Sequence, residues 1–118
     1  MNVEQVDFVS VLTEDIPRAK KFYAETLGLP IETEGENDME FTLGQVTLDV
    51  FNPGESFVAS SAGIAIRVPD VTAARSELEA KGVEFDGETR DTGVCHMAFF
   101  KDPDGNQLML HRRYAPRD

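Results

Sequence analysis

Apolar residues fall along the chain in short blocks, and the blocks recur in the same order twice. Val6 to Leu12 is a run rich in β-branched residues, which predicts a buried strand. Thr13-Glu14-Asp15-Ile16-Pro17 predicts a helix start, with Asp15 or Thr13 capping the free amides and Pro17 in the first turn. Ile16, Ala19, Phe22, Tyr23 and Leu27 recur at helical spacing and make one apolar face. Gly28 suits the helix C-terminus because it tolerates positive φ, and Pro30 prevents continuation. Strands are predicted near Ile31–Glu34, Met39–Leu43 and Val46–Phe51, with a turn at Gly44. Asn52-Pro53-Gly54-Glu55-Ser56 is a turn and linker signal.

The second half repeats the plan. Gly63 to Val68 reads as a strand, and Pro69-Asp70 starts a helix with apolar positions Val71, Ala74 and Leu78, ended by Gly82. Strands then fit Val83–Phe85, Val94–Phe100 and Gln107–Arg113. The last two are joined by Lys101-Asp102-Pro103-Asp104-Gly105-Asn106, a turn rather than a calcium loop, whose wider ligand pattern is missing. A shift of 55 residues places Asp15 on Asp70, Ile16 on Val71, Ala19 on Ala74, and Val9 and Val11 on Ile64 and Ile66. A one-residue slip brings Gly28 onto Gly82. The chain therefore reads as a duplicated β-α-β-β-β unit, module one over about 1–52 and module two over about 61–114. One unit is too small to bury both faces of its sheet, so two must pack as a single domain.

Composition narrows the function classes. With 118 residues, 41% apolar and 28% charged, the chain has the mix of a globular protein. The net charge of −11 disfavours nucleic acid and anionic membrane surfaces as partners; it either attracts cationic small molecules or simply keeps the protein soluble or marks a salt-adapted host. One cysteine, Cys95, excludes an intrachain disulfide, and it reads as a packed small hydrophobe. There is no membrane-length apolar run, and the N-terminus lacks signal-peptide character. A cytoplasmic location is the expectation.

Thr13-Glu14-Asp15-Ile16-Pro17-Arg18-Ala19-Lys20-Lys21-Phe22-Tyr23, ending in Leu27-Gly28-Leu29, resembles the opening module of the vicinal oxygen chelate superfamily. That group includes glyoxalase I, bleomycin-resistance proteins, fosfomycin-resistance enzymes and extradiol dioxygenases. Phe99-Phe100-Lys101-Asp102-Pro103-Asp104-Gly105-Asn106 resembles the hairpin of its second module. The resemblance covers nearly the whole chain. It implies an α+β fold of two βαβββ modules, with a cupped mixed sheet, helices outside and a ligand cavity inside. It also implies a homodimer whose subunits both line the cavity.

Many family enzymes hold a divalent metal with His and Glu from the first and fourth strands of each module. Carried over by motif, those positions are Phe8, Leu48, Gly63 and Met109. None is a hard ligand, so no metal and no cofactor is expected. Asp49 adjoins Leu48, but strand alternation puts it on the other sheet face.

Alternation and a Phe100–Gln107 pairing turn Phe8, Ser10, Leu48, Val50, Arg67, Gln107, Met109 and His111 toward the cavity. The same pairing sets His96 opposite His111, the only two histidines. Together they would bind an anion, shuttle a proton or hold a soft metal, or would be polar residues at a wet rim or subunit interface. Arg67 anchors a carboxylate or phosphate, or pairs with one of the 22 acids. Ser10 reads as a small lining group. Phe8, Phe41, Leu48, Val50 and Met109 either form an apolar pocket or fill the cup.

The leading expectation is metal-independent binding of a small organic molecule, of the sequestration or drug-resistance type. The alternative is an isomerase, lyase or epimerase using His96 or His111 as acid or base, or an off-pattern metal. A degenerate module acting as an interaction protein is the third reading.

Overall fold

A computed structural model describes residues 1–116. The chain forms two compact units, Met1–Ala59 and Ser60 onward. Each holds one four-stranded mixed sheet and one helical segment, so the fold is α+β with two βαβββ modules.

In module one, β1 (Phe8–Leu12) leads to α1 (Ile16–Lys20), then β2 (Thr33–Glu34), β3 (Asp38–Leu43) and β4 (Val46–Phe51). The sheet order is β1-β4-β3-β2, with β1 and β4 parallel and the other neighbours antiparallel. In module two, β5 (Ile64–Arg67), α2 (Val71–Ala80), β6 (Phe85–Asp91), β7 (Cys95–Lys101) and β8 (Gln107–Arg113) give the order β5-β8-β7-β6. The same order and the same single parallel pair appear in both sheets.

The helix starts follow from their caps. The Asp15 carboxylate accepts from the Arg18 amide and the Asp70 carboxylate from the Ala73 amide, each at 3.0 Å. A cap of this kind is worth about 1 kcal/mol. The first helix is not uniform. Past Lys20 it widens to π-type bonding over Lys21–Thr26, closed by the Leu27 amide donating to the Phe22 carbonyl at 2.8 Å. Gly28 then turns the chain at φ 72°, as Gly82 does after α2 at φ 92°.

Each sheet packs one face under its helix and leaves the other open. In module one the packed face is Val9, Val11, Met39, Phe41, Leu48 and Val50, with Phe41 5.9 Å ring to ring from Tyr23 of the first helix. In module two it is Ile64, Ile66, Ala98, Phe100, Leu108 and Leu110. The β7–β8 turn is locked by a buried pair. Asn106 donates to the Asp102 carboxylate at 2.8 Å and accepts from the Ser60 amide at 2.9 Å. That network makes the turn a structural fixture.

β1 and β2 start two residues later than the sequence suggests, at Phe8 and Thr33, and two further strands differ in ways that bear on the site. β6 runs Phe85–Asp91 rather than Val83–Phe85, and its polar FDGETRD sequence carries no strand signal. Pairing with β7 holds it, and Gly87, at φ 75°, lies in the irregularity between Asp86 and Arg90. β7 extends one residue further than expected, to Lys101, which shifts the whole β7–β8 register.

Candidate functional site

Phe100 pairs with Leu108 and Lys101 with Gln107, so the expected Phe100–Gln107 pairing is off by one. A slip of one residue moves a strand's side chains to the opposite face. His111 therefore sits opposite Met97, while His96 sits opposite Arg112 on the other face of the sheet. The two histidines are not a pair. His96 instead stacks on Tyr114 at 4.9 Å and lies 3.4 Å from the Asp91 carboxylate. Tyr114 donates to Asp91 at 2.7 Å, which with the Gly93 amide holds the Asp91 carboxyl below the usual range and pushes the Tyr114 phenol up. This cluster ties the end of β8 to the β6–β7 turn. Cys95, also near that turn, is buried against Thr92.

Leu48 and Val50 are likewise corrected. Both are buried on the packed face, at 3% and 0% exposure. The parallel pairs give an internal ruler: Val9 pairs with Leu48 as Ile64 pairs with Leu108, and Ser10 pairs with Asp49 as Ala65 pairs with Met109. Leu48 is thus the equivalent of buried Leu108, and Asp49 is the equivalent of Met109. The fourth-strand position of module one on the open face is Asp49.

Module one's open face carries Phe8, Ser10, Asp38, Glu40, Thr47 and Asp49. The Ser10 hydroxyl donates to Asp49 Oδ2 at 3.1 Å, whereas Oδ1 is shut from solvent with no donor. Burial pushes the Asp49 carboxyl above its usual range, and the neighbouring Asp38 and Glu40 carboxylates reinforce this against the Ser10 hydrogen bond.

Module two's open face is of opposite sign. Arg67 and His111 are register neighbours on β5 and β8, and Arg113 follows His111 on the same face. With Ala65, Arg112 and Ala115 they line an open recess of about 420 Å³. Met97, Phe99 and Met109 share the face, and Arg90 lies over the Phe99 ring at 5.6 Å. Gln107 is committed elsewhere: its amide nitrogen donates to the Phe100 and Leu108 carbonyls, each at 3.0 Å. A Cβ on Gly63 would lie 2.8 Å from Met109 Cε, so the Met109 side chain occupies the space above Gly63. Sequence reasoning missed Asp38, Glu40 and Arg113, whose signal was their alternation with the buried positions on their own strands.

Residues 5–110 match the family described as the Glyoxalase/Bleomycin resistance protein/Dioxygenase superfamily. A Vibrio parahaemolyticus protein named "Probable lactoylglutathione lyase" is 32% identical over 112 residues, covering 81% of both chains. YetH of Bacillus subtilis is 28% identical over 92% of this chain and 98% of its own. The structure of TnmS3, an antibiotic binding protein from a Streptomyces species, superposes with a TM-score of 0.79 at 28% identity, covering 96% of this chain and 98% of that one.

The divalent metal of such folds does not fit the residues present. The four equivalent positions are Phe8, Asp49, Gly63 and Met109, with one hard donor among them. That donor is turned to Ser10 and a second acid, and Met109 packs over Gly63. Among the described residues no group of three or more His, Cys, Asp or Glu side chains could hold a metal ion.

Proposed function

The chain belongs to the Glyoxalase/Bleomycin resistance protein/Dioxygenase superfamily, and we propose that within it this protein binds a small organic molecule without a metal, on the open face of module two. The observation that carries the reading is the lack of metal-donor side chains at Gly63 and Met109 on the module-two face that holds a recess of small-ligand size lined by Arg67 and His111. Likeness to an antibiotic binding protein supports sequestration as the outcome of binding. Exposed Phe8 and Phe51 on module one support a homodimer, which sedimentation at twice the chain mass would establish. The proposed ligand contacts are Arg67, His111 and Met109 on that face; Phe8 and Ser10, expected to line the same cavity, lie on the open face of module one. Leu48, Val50, Gln107 and His96 have structural duties instead.

The experiment is a thermal-shift screen of organic compounds, run with and without a chelator, beside elemental analysis of the purified protein. A hit whose shift survives chelation is expected, because a ligand stabilises by mass action. Stoichiometric tightly held metal, or a shift abolished by chelator, overturns the reading.

A second reading, an isomerase or lyase, has one specific observation behind it. The raised Asp49 carboxyl beside Asp38 is the kind of group that can serve as a proton donor. Likeness to the Vibrio protein adds to it. In this reading Asp49 or His111 serves as the acid or base, and His96 does not.

A further inference from the structure

Resting on the reading that this chain binds a small organic molecule, we propose that the recess on module two takes an organic anion, its carboxylate or phosphoryl group held by Arg67, His111 and Arg113. The charge balance makes this site unexpected. The chain has 22 acidic residues against 11 Lys and Arg, so cations should readily find acidic partners. Several do elsewhere: Lys20 meets Glu34 at 2.7 Å and Arg75 meets Glu79 at 3.4 Å. Among the described residues, Arg67, His111 and Arg113 meet no carboxylate.

Arg113 is the sharpest of the three. Its Nη2 donates to the Pro116 carbonyl at 3.3 Å, while its Nε is shut from solvent with no acceptor. A buried charged donor without an acceptor is costly, and it leaves the Arg113 guanidinium short of partners beside the recess. A planar guanidinium presents parallel N–H groups that match the two oxygens of a carboxylate or phosphoryl group. Arg67 is exposed and register-paired with His111, so a second guanidinium and an imidazole donor face the same recess. The volume, about 420 Å³, leaves room beyond the anionic head. Ala65, Met97 and Met109 on the same face offer apolar surface for the rest of the molecule. The local cluster thus selects against the cationic ligand that the net charge of −11 favours.

The test is nuclear magnetic resonance on the isotope-labelled full chain, titrated separately with benzoate, phenyl phosphate, benzamide and benzylamine. Benzoate or phenyl phosphate should give saturating shifts at Arg113 Nε–H and the His111 ring, and comparing the two shows which anion is preferred. Arg67→Gln should weaken that binding about tenfold with the amide spectrum otherwise unchanged, since Arg67 is exposed. Anion shifts that do not saturate, or that are indifferent to Arg67→Gln, overturn the inference. Binding of benzamide or benzylamine at the recess without the anions overturns it too, yet leaves small-molecule binding standing. Silence from all four probes here, together with an empty thermal-shift screen, removes both.

Discussion

Module one and module two share a backbone plan and a packed face, but their open faces carry opposite charge. On the packed side the equivalences are near-synonymous: Val9 with Ile64, Val11 with Ile66, Leu48 with Leu108, Val50 with Leu110. On the open side, Leu12 stands where Arg67 does, Asp49 where Met109 does, and Phe51 where His111 does. One face gathers Asp38, Glu40 and Asp49, and the other Arg67, Arg90 and Arg113. Volume under a helix restricts what a packed position can hold. An open position is not restricted in that way, so chemistry diverges there while the scaffold stays fixed.

The comparison breaks most visibly if the equivalence of Leu48 and Leu108 is wrong. Each is buried, at 3% and 0% exposure, so Leu48→Ala and Leu108→Ala should each cost about 3 kcal/mol in urea denaturation. A Leu48 lying on the open face would lose far less. Loss of well under 1 kcal/mol at Leu48, with full loss at Leu108, would refute the register that assigns Asp49 to the open face.

The two faces differ next in how their carboxylates answer pH. Asp49 has a raised pKa in the folded protein, so its contribution to stability is fully present below the unfolded value of 3.8 and is lost as pH rises through the folded value. Asp91 in module two is lowered by Tyr114, so its contribution is present above 3.8 and is lost as pH falls through its folded value. Asp49→Asn should therefore stabilise the protein at neutral pH, by no more than about 1 kcal/mol after solvent screening, and have no such effect in acid. Asp91→Asn should destabilise at neutral pH, again with the effect gone in acid. Denaturation curves from acid to neutral pH check both signs, and equal signs would end the contrast.

Much of this was legible in the residues. The duplication, both Asp caps and, after a one-residue slip, both terminal glycines can be read from one shift along the chain, because caps and turns depend on local chemistry. The alternation Thr47-Leu48-Asp49-Val50 also pointed to Asp49 as the open-face residue. Motif alignment at Leu48 overrode that signal. The β7–β8 register was not legible. Met97-Ala98-Phe99-Phe100 is apolar on both faces, so either register buries plausible side chains. Only the turn length decides, and the Asp102–Asn106 network sets it one residue shorter than the sequence suggested. His96 and His111 were separated by that single residue.

The smallest effect concerns how each module fills the place where family members keep metal ligands. Module one uses a hydrogen bond, Ser10 to Asp49, and module two uses packing, Met109 over Gly63. Gly63 has no positive φ, so Ala is compatible with its backbone and would stabilise by restricting the unfolded chain. Its new Cβ would meet Met109 Cε at 2.8 Å, and the flexible Met side chain must move aside. The gain and the displacement nearly cancel, so Gly63→Ala alone should change stability by under about 0.5 kcal/mol. With Met109→Ala already present the displacement vanishes, and the same change should then stabilise by about 0.5–1 kcal/mol. The coupling in this double-mutant cycle is the signature of packing. Additive effects would mean that Met109 does not cover Gly63, leaving the open face of module two without the apolar filling that distinguishes it from the acidic face of module one.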